Sequence, residues 1–513
     1  MQVDAGATAW VLASACLVLL MTPAIAIFYG GLVRAKNVLG MLMQNFATIA
    51  LVSTVWVIIG YSLAFGSGST LIGDVHFAGL NNMNEPVPGF TGELTQIIPP
   101  IVFVAFQMMF AVLTAALITG ATADRWRFGA FVAFIPLWTL LVYAPIAHWV
   151  FSPDGWANQM GALDFAGGTV VHANAGAAAL VMAIVLGRRR GWPDDAMPGH
   201  NLPLVMLGTG LLWFGWFGFN AGSQLKADEV AGTALVNTHV AASAGLLAWI
   251  AVEKLRYGKC TSLGAVSGAV VGLVAITPAA GYVSPIGAIA VGLLAGSICA
   301  FAVGLKLLLR VDDSLDVVAV HLVGGVVGSL AVGLFATREV NPAGADGLFY
   351  GGGYAQLGLQ AIAVLAVIAY SFVITGVLGA FLTRLLRSRV EPQDEVLGLD
   401  LSQHGESAYE HAYPGSPLSG QQGGQQGGQQ SGQQGRQSNG AGEQPLVPAT
   451  QRPGSARGAA GSMGGDLNAR APRPRFEYDP TATPPRAPGR HYDGTEWPGQ
   501  QPRSPMSEGG NQS

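Results

Sequence analysis

Apolar residues run in eleven long stretches between Ala7 and Thr383, at approximately 7–33, 40–65, 96–121, 128–151, 169–187, 201–222, 232–252, 261–280, 284–308, 315–335 and 357–383. A helix needs about 20 predominantly apolar residues to cross the hydrocarbon core of a bilayer, so each stretch predicts a membrane-spanning helix. No basic segment precedes the first stretch, and it is too long for the apolar core of a signal peptide, so it is expected to be retained as a span. The pattern predicts an all-α polytopic membrane protein.

The polar segments between the stretches set the orientation, because lysine and arginine near span ends are held on the cytoplasmic side. Alternate loops carry Arg34 and Lys36, Arg125 and Arg127, Arg188 to Arg190, then Lys254, Arg256 and Lys259, Lys306 and Arg310, and Arg384, Arg387 and Arg389. The opposite loops hold only Lys226 and Arg338. This alternation supports eleven spans with the N-terminus outside and the C-terminus in the cytoplasm, since one misplaced span would scramble it.

Beyond Val390 the chain turns rich in Gln, Gly, Pro and Ser and repeats QQGG near Gln421 to Gln434. Such a segment buries too little apolar surface to offset its ordering entropy, and 413–513 is expected to be disordered. Residues 391–412 differ: GLDLSQHGESAY, from Gly398 to Tyr409, spaces apolar and aromatic residues among polar ones. The expected division is a membrane domain 1–390, a cytoplasmic segment 391–412 and the tail.

Composition narrows the function. Only 11% of residues are charged, against roughly 25% in soluble domains, although half are apolar. A net charge of -4 without a basic patch excludes nucleic-acid binding as the main role. Cys16, Cys260 and Cys299 lack the spacing of a disulfide framework or thiolate metal site. The 71 glycines suit helices that approach closely in lipid.

Ionisable groups at bilayer depth are costly and point to function. His148, His172, His239 and His321 all fall within predicted spans. His172, in FAGGTVVHANAG, and His321, in DVVAVHLVGGVVG, lie beside small residues on the fifth and tenth spans. Matching patterns on those two spans suggest two five-span halves of opposite orientation plus one added helix, an arrangement that places a substrate path near the midplane between halves. The alternatives are two unrelated packing histidines, or axial ligands of a haem. The flanking glycines and valines favour a narrow passage over room for a macrocycle. His148 and His239 are read as interfacial or packing residues.

Asp164, in GALDFAGG, precedes the fifth span, where helix capping is a sufficient explanation and attraction of a cation a compatible one. Asp316 is its expected counterpart before the tenth span. Phe106 and Phe110 in AFQMMF, and Trp216, Phe217 and Phe219 in GWFGFNAGS, read as core on spacing alone. Asn220 and Ser223 beside them raise the possibility of a cation site.

From FYGGLVRAKNVLGM through DFAGGTVVH, GWFGFNAGS, ITPAAGYVSP and VDDSLDVVAVH to GLDLSQHGESAY, the chain resembles the ammonium transporters of the Amt/MEP/Rh superfamily, on the Amt side. The resemblance implies a homotrimer of eleven-helix protomers, each with its own pore, in the cell membrane. It implies no cofactor and no enzymatic chemistry. Phe110, Phe151 and Ser223 resemble an external recruitment site supported by Asp164, Phe110 and Phe219 a stacked gate, and His172 and His321 the twin histidines lining the pore, with Trp216 beside them. Phe151 occupies the position usually held by Trp, and Trp156 could reach the vestibule only if its loop folds back. Gly398, Asp400, His404 and Tyr409 mark a regulatory segment that packs under the pore, and a PII signalling protein is the implied cytoplasmic partner. The function implied is electrogenic ammonium uptake; the alternatives are an electroneutral ammonia channel and an ammonium sensor acting through the tail.

Overall fold

The computed structural model describes residues 3–90 and 96–409. The expected disordered tail, 413–513, and the last three residues of the segment 391–412 lie outside the described residues.

Ten of the described helices are long and apolar enough to cross a membrane: α1 (Ala5–Leu32), α2 (Ala35–Phe65), α3 (Pro100–Gly120), α4 (Phe128–Gln159, with a turn after Phe151), α5 (Gly168–Leu186), α6 (Leu202–Gly222), α7 (Glu229–Tyr257), α9 (Pro285–Leu308), α10 (Val318–Phe335) and α11 (Ala355–Leu386). Between α7 and α9 lies a shorter apolar helix, α8 (Ser262–Ile276). At 1.5 Å per residue α8 covers about 22 Å, and the predicted span 261–280 is cut short at Pro278, which has no N–H to continue the helical hydrogen-bond ladder, although Thr277 before it still has helical backbone angles. The helices start where their local chemistry allows. Asp4, Asn201, Asp228, Thr261 and Ser284 each accept a backbone N–H from the first turn of α1, α6, α7, α8 and α9. Proline occupies the first turn of α3 and α9, where its missing N–H has no intrahelical partner to lose.

The most extensive packing is α1 against α6, α7 against α8 and α9, and α5 against α11. Both α5 and α10 open with a π-helical turn, Gly168–Ala173 and Val318–Val323, which carry His172 and His321 respectively. The two turns touch closely. A Cβ at Gly325 would stand 2.9 Å from the Gly168 carbonyl oxygen and 3.1 Å from the His172 Cβ, so only glycine lets α10 approach α5 here.

At the end of the bundle where the arginine-rich loops gather, several of those arginines are structural. Arg189 grips Asp312 through paired contacts of 2.9 Å and lies 3.5 Å from Asp124. Arg34 meets the same Asp124 at 3.0 Å, and Arg125 donates to the Ser314 hydroxyl and the Asp312 carbonyl, both at 2.6 Å. Burial raises the Asp312 carboxyl, but the Arg189 hydrogen bonds and the charges of Arg125 and Arg189 outweigh it and hold the group below the usual carboxylate range. The network ties the segments after α1, α3 and α5 to the segment before α10.

Two short helices follow α11: α12 (Pro392–Leu397) and α13 (Leu399–His404). They lie against the same end of the bundle. The Leu399 N–H donates to the Asn37 Oδ1 at 2.8 Å, Asp400 accepts from the Gly40 N–H at 2.8 Å, and Lys36 donates to the Val396 carbonyl. Gly398 joins α12 to α13 with φ +107°, and a Cβ there would stand 2.5 Å from the Lys36 carbonyl oxygen, so both backbone angle and space require glycine.

Candidate functional site

Asp164 builds the first wall of the site. Its carboxylate accepts the N–H groups of Gly167, Gly168 and Thr169 at 2.6 to 2.8 Å and of Val170 at 3.3 Å, and it accepts the Thr169 hydroxyl as well. These are the orphan donors of the α5 N-terminus, so the acid holds the turn that carries His172. The counterpart on α10 is Asp313, not Asp316. Asp313 accepts from Val317 at 3.1 Å and Val318 at 2.8 Å, whereas Asp316 pairs with Lys306 at 2.7 Å. The reason is spacing: Asp164 stands eight residues before His172, Asp313 eight before His321, and Asp316 only five.

Asp164 also borders a cavity of about 140 Å³ whose walls include Phe90, Phe103, Gln107, Phe151 and Ser223. The Ser223 hydroxyl donates to the Phe219 carbonyl at 2.8 Å, which leaves its lone pairs free to accept from a ligand. Phe151 lines this same cavity with Ser223 and Asp164. Trp156 does not fold back into this cavity; it packs on Trp149 at 5.7 Å between ring centres. Asn220 also turns away, with its amide donating to the Thr238 hydroxyl at 2.9 Å. Phe217 faces His239 at 6.3 Å between ring centres.

Beside this first cavity, Phe110 and Phe219 stack with centroids 4.1 Å apart and planes within 12°. Phe110 lies edge-on to Phe151 at 6.3 Å, and Phe219 is 6.1 Å from His172, so the pair stands between the first cavity and the histidines. Phe106 backs Phe110 at 4.9 Å. Both stacked rings are buried, at 1% and 0% exposure.

On the other side of the stacked pair, His172 and His321 meet through their Nδ1 atoms at 3.2 Å, one donating and the other accepting. An imidazole–metal bond is about 2 Å, so two axial ligands on one iron would stand about 4 Å apart with a macrocycle between them. Rings in direct contact leave no place for it. Trp216 stacks on His172 at 5.5 Å and is fixed by its own N–H bond to the Thr277 hydroxyl at 2.9 Å. Among the described residues the Nε2 of His172 has no hydrogen-bond partner. Both rings and Trp216 border a second cavity, of about 350 Å³, that runs on past Tyr29 to Lys306 and Asp316. His148 is not part of this path; its ring nitrogens lie 2.9 and 2.8 Å from the carbonyls of Ala64 and Ser69.

Near the inner cavity the segment after α11 meets the bundle through its predicted residues. His404 stands edge-on to Phe128 at 5.1 Å, and the Tyr409 hydroxyl lies 2.8 Å from the His200 Nε2. Burial lowers the His404 pKa, with Asp400 and Glu406 pulling the other way.

The family model described as the Ammonium Transporter Family matches residues 9–409. The chain belongs to the ammonium transporter family. The ammonium transporter of Mycobacterium tuberculosis strain H37Rv is 50% identical over 434 residues, covering 80% of this chain and 91% of that protein. Crystallised Mep2 of Candida albicans superposes with a TM-score of 0.72 at 37% identity, covering 80% of this chain and 91% of the other. A solved chain described as a sensor Amt protein superposes with a TM-score of 0.71 at 32% identity, covering 78% and 98%. The transporter is thus a multi-pass membrane protein whose family moves ammonium.

Sequence reasoning about this transporter missed Asp313 and the outer-cavity residues Phe90, Phe103, Gln107 and Asn158. For Asp313 the signal was present, since an Asp stands eight residues before each of the two histidines. For the cavity residues no spacing rule joins loop, α3 and α4.

Proposed function

We propose that the transporter recruits ammonium from outside into the cavity walled by Phe151, Ser223 and Asp164 and separates it into ammonia and a proton at the Phe110 and Phe219 gate. Ammonia passes along His172 and His321, the proton is relayed through the shared Nδ1 contact of the same two rings, and the two recombine on the far side, so that one positive charge crosses with each ammonium. The observation that carries this reading is the order of parts: a polar aromatic cavity, a closed apolar pair, then two histidines in contact above a second cavity. Potassium matches ammonium in charge and approximate size, so selectivity must use what ammonium alone does, which is donate hydrogen bonds and lose a proton. Aromatic faces contribute ~0.5 to 2 kcal/mol of cation-π attraction, and the Ser223 lone pair accepts one N–H. Those terms concentrate the cation but do not carry it through an apolar constriction. Desolvation then favours the neutral base, as it does for buried amines, and potassium has no neutral form. Past the gate, the free Nε2 of His172 and the shared Nδ1 contact offer ammonia hydrogen-bond partners that a purely apolar tube lacks.

The inverted five-plus-five arrangement with α11 added, eleven spans with the N-terminus outside, and a homotrimer with one pore per protomer complete the reading, as does the division at residue 390. The docked α12 and α13 support a regulatory role for Gly398, Asp400, His404 and Tyr409, with a PII-type protein as the cytoplasmic partner. The test is His172→Ala in proteoliposomes supplied with nitrogen-15 ammonium. Loss of label entry with normal protein yield supports the pore assignment; unchanged uptake and unchanged preference for ammonium over potassium removes the role of the histidines.

A further inference from the structure

The inner cavity has a charged end. Its mouth is formed by segments that follow α5, α7 and α9, all on the arginine-rich side, and there Lys306 and Asp316 meet at 2.7 Å with both side chains partly open to solvent. Glu253 is the other carboxylate at this mouth, and its oxygens are engaged by the Thr261 N–H at 2.9 Å and by the Thr261 hydroxyl at 3.1 Å. Asp316 is therefore the acid placed to hold a monovalent cation at the inner opening, and a lysine ammonium already sits on it.

We propose that Lys306 is a tethered cation that keeps cytoplasmic potassium and ammonium off Asp316, so that the inner end of the pore is closed to cations and open to ammonia. This rests on the proposed passage of ammonia through the pore. A primary ammonium is chemically the same donor group as the substrate, and one fixed to the chain competes at the millimolar or higher effective concentration of an intramolecular partner. Its positive charge also repels cations that approach the opening, whereas a neutral molecule meets no such barrier. Without Lys306, Asp316 becomes a free carboxylate over the exit, and cytoplasmic potassium settles there and obstructs release.

The backbone supports a clean set of variants. Asp316 has φ +61°, a conformation that asparagine tolerates nearly as well as aspartate, so Asp316→Asn removes charge without forcing the turn. In right-side-out membrane vesicles, the initial entry of nitrogen-15 ammonium is measured with potassium inside and again with choline inside. The potassium-to-choline ratio is expected near one for the unaltered protein and for K306R. It is expected to fall about threefold or more in K306Q, the scale of a solvent-exposed ion pair, and to return to near one in K306Q/D316N. A K306Q ratio equal to that of the unaltered protein, at equal amounts in the membrane, overturns the proposal. If K306Q does not reach the membrane, D316N decides: it retains Lys306 and has no seat, so potassium-sensitive entry in D316N also overturns it. Label entry is produced by electrogenic and electroneutral passage alike, so an electroneutral outcome for the function leaves this test intact.

Discussion

The helices α5 and α10 share a frame and differ in their surroundings. Each places an aspartate eight residues before a histidine, opens with a π-helical turn and brings its histidine to the contact point. Around α5 the acid satisfies four backbone donors and borders an aromatic cavity, and the histidine is backed by Trp216. Around α10 the acid satisfies two donors, and its neighbours are the buried arginine network and the Lys306 pair. The two frames thus bring matched histidines into contact at the centre while their walls differ, and under the proposed function the aromatic end receives the cation and the charged end releases the product.

The largest expected difference comes from removing each acid. Asp164→Ala leaves four N–H groups without their acceptor and is expected to cost at least ~2 to 4 kcal/mol and abolish measurable uptake. Asp313→Ala, which orphans two, is expected to cost about half as much; equal losses of thermal stability and uptake in the two variants would break the comparison. Next in size is Thr277→Val, which strands the Trp216 N–H on the α5 side only. It is expected to lower stability by ~1 to 3 kcal/mol and reduce uptake, and normal melting with normal uptake would show that Trp216 does not position His172.

Smaller effects belong to the outer walls. Phe151→Trp is expected to tighten the apparent affinity for ammonium about two- to fivefold, because Trp is the stronger cation-π face, and Ser223→Ala to weaken it by a similar factor. Affinity unchanged in both would move recruitment elsewhere. The smallest effect is at the other end. Because burial keeps the docked His404 pKa below the free value of about 6.5, the neutral ring favours docking, and contact of the segment after α11 is expected to loosen as pH falls through that value. Hydrogen exchange over 391–409 in His404→Gln, compared with the unaltered protein between neutral and mildly acid pH, reads this directly; equal pH dependence in both means His404 is not the titrating group.

Much of this architecture was legible in the sequence because lipid imposes a simple rule, that spans are long and apolar. Ten of the expected stretches correspond to long helices, and the exception, α8, is shortened by Pro278, a local breaker that a hydropathy window averages away. The two histidines stood out because ionisable groups are rare at that depth. Asp316 was paired with Asp164 by its position before the span, whereas eightfold spacing to the histidine picks Asp313. The directions of Asn220 and Trp156 were not readable, since each depends on which neighbouring helix or ring it meets. Nor does the sequence announce that Arg125 and Arg189, counted for orientation, are buried partners of Asp312.

The central claim is that ammonium is split at the gate and that ammonia and its proton both cross, the proton by way of the two histidines, so that charge moves with the substrate. It is tested most directly by current in proteoliposomes on a solid-supported membrane after an inward ammonium pulse, with potassium as the control. The account predicts a saturable current for ammonium and none for potassium. Absence of current while the internal pH rises would mean that ammonia passes as a neutral gas and that net charge transfer is wrong.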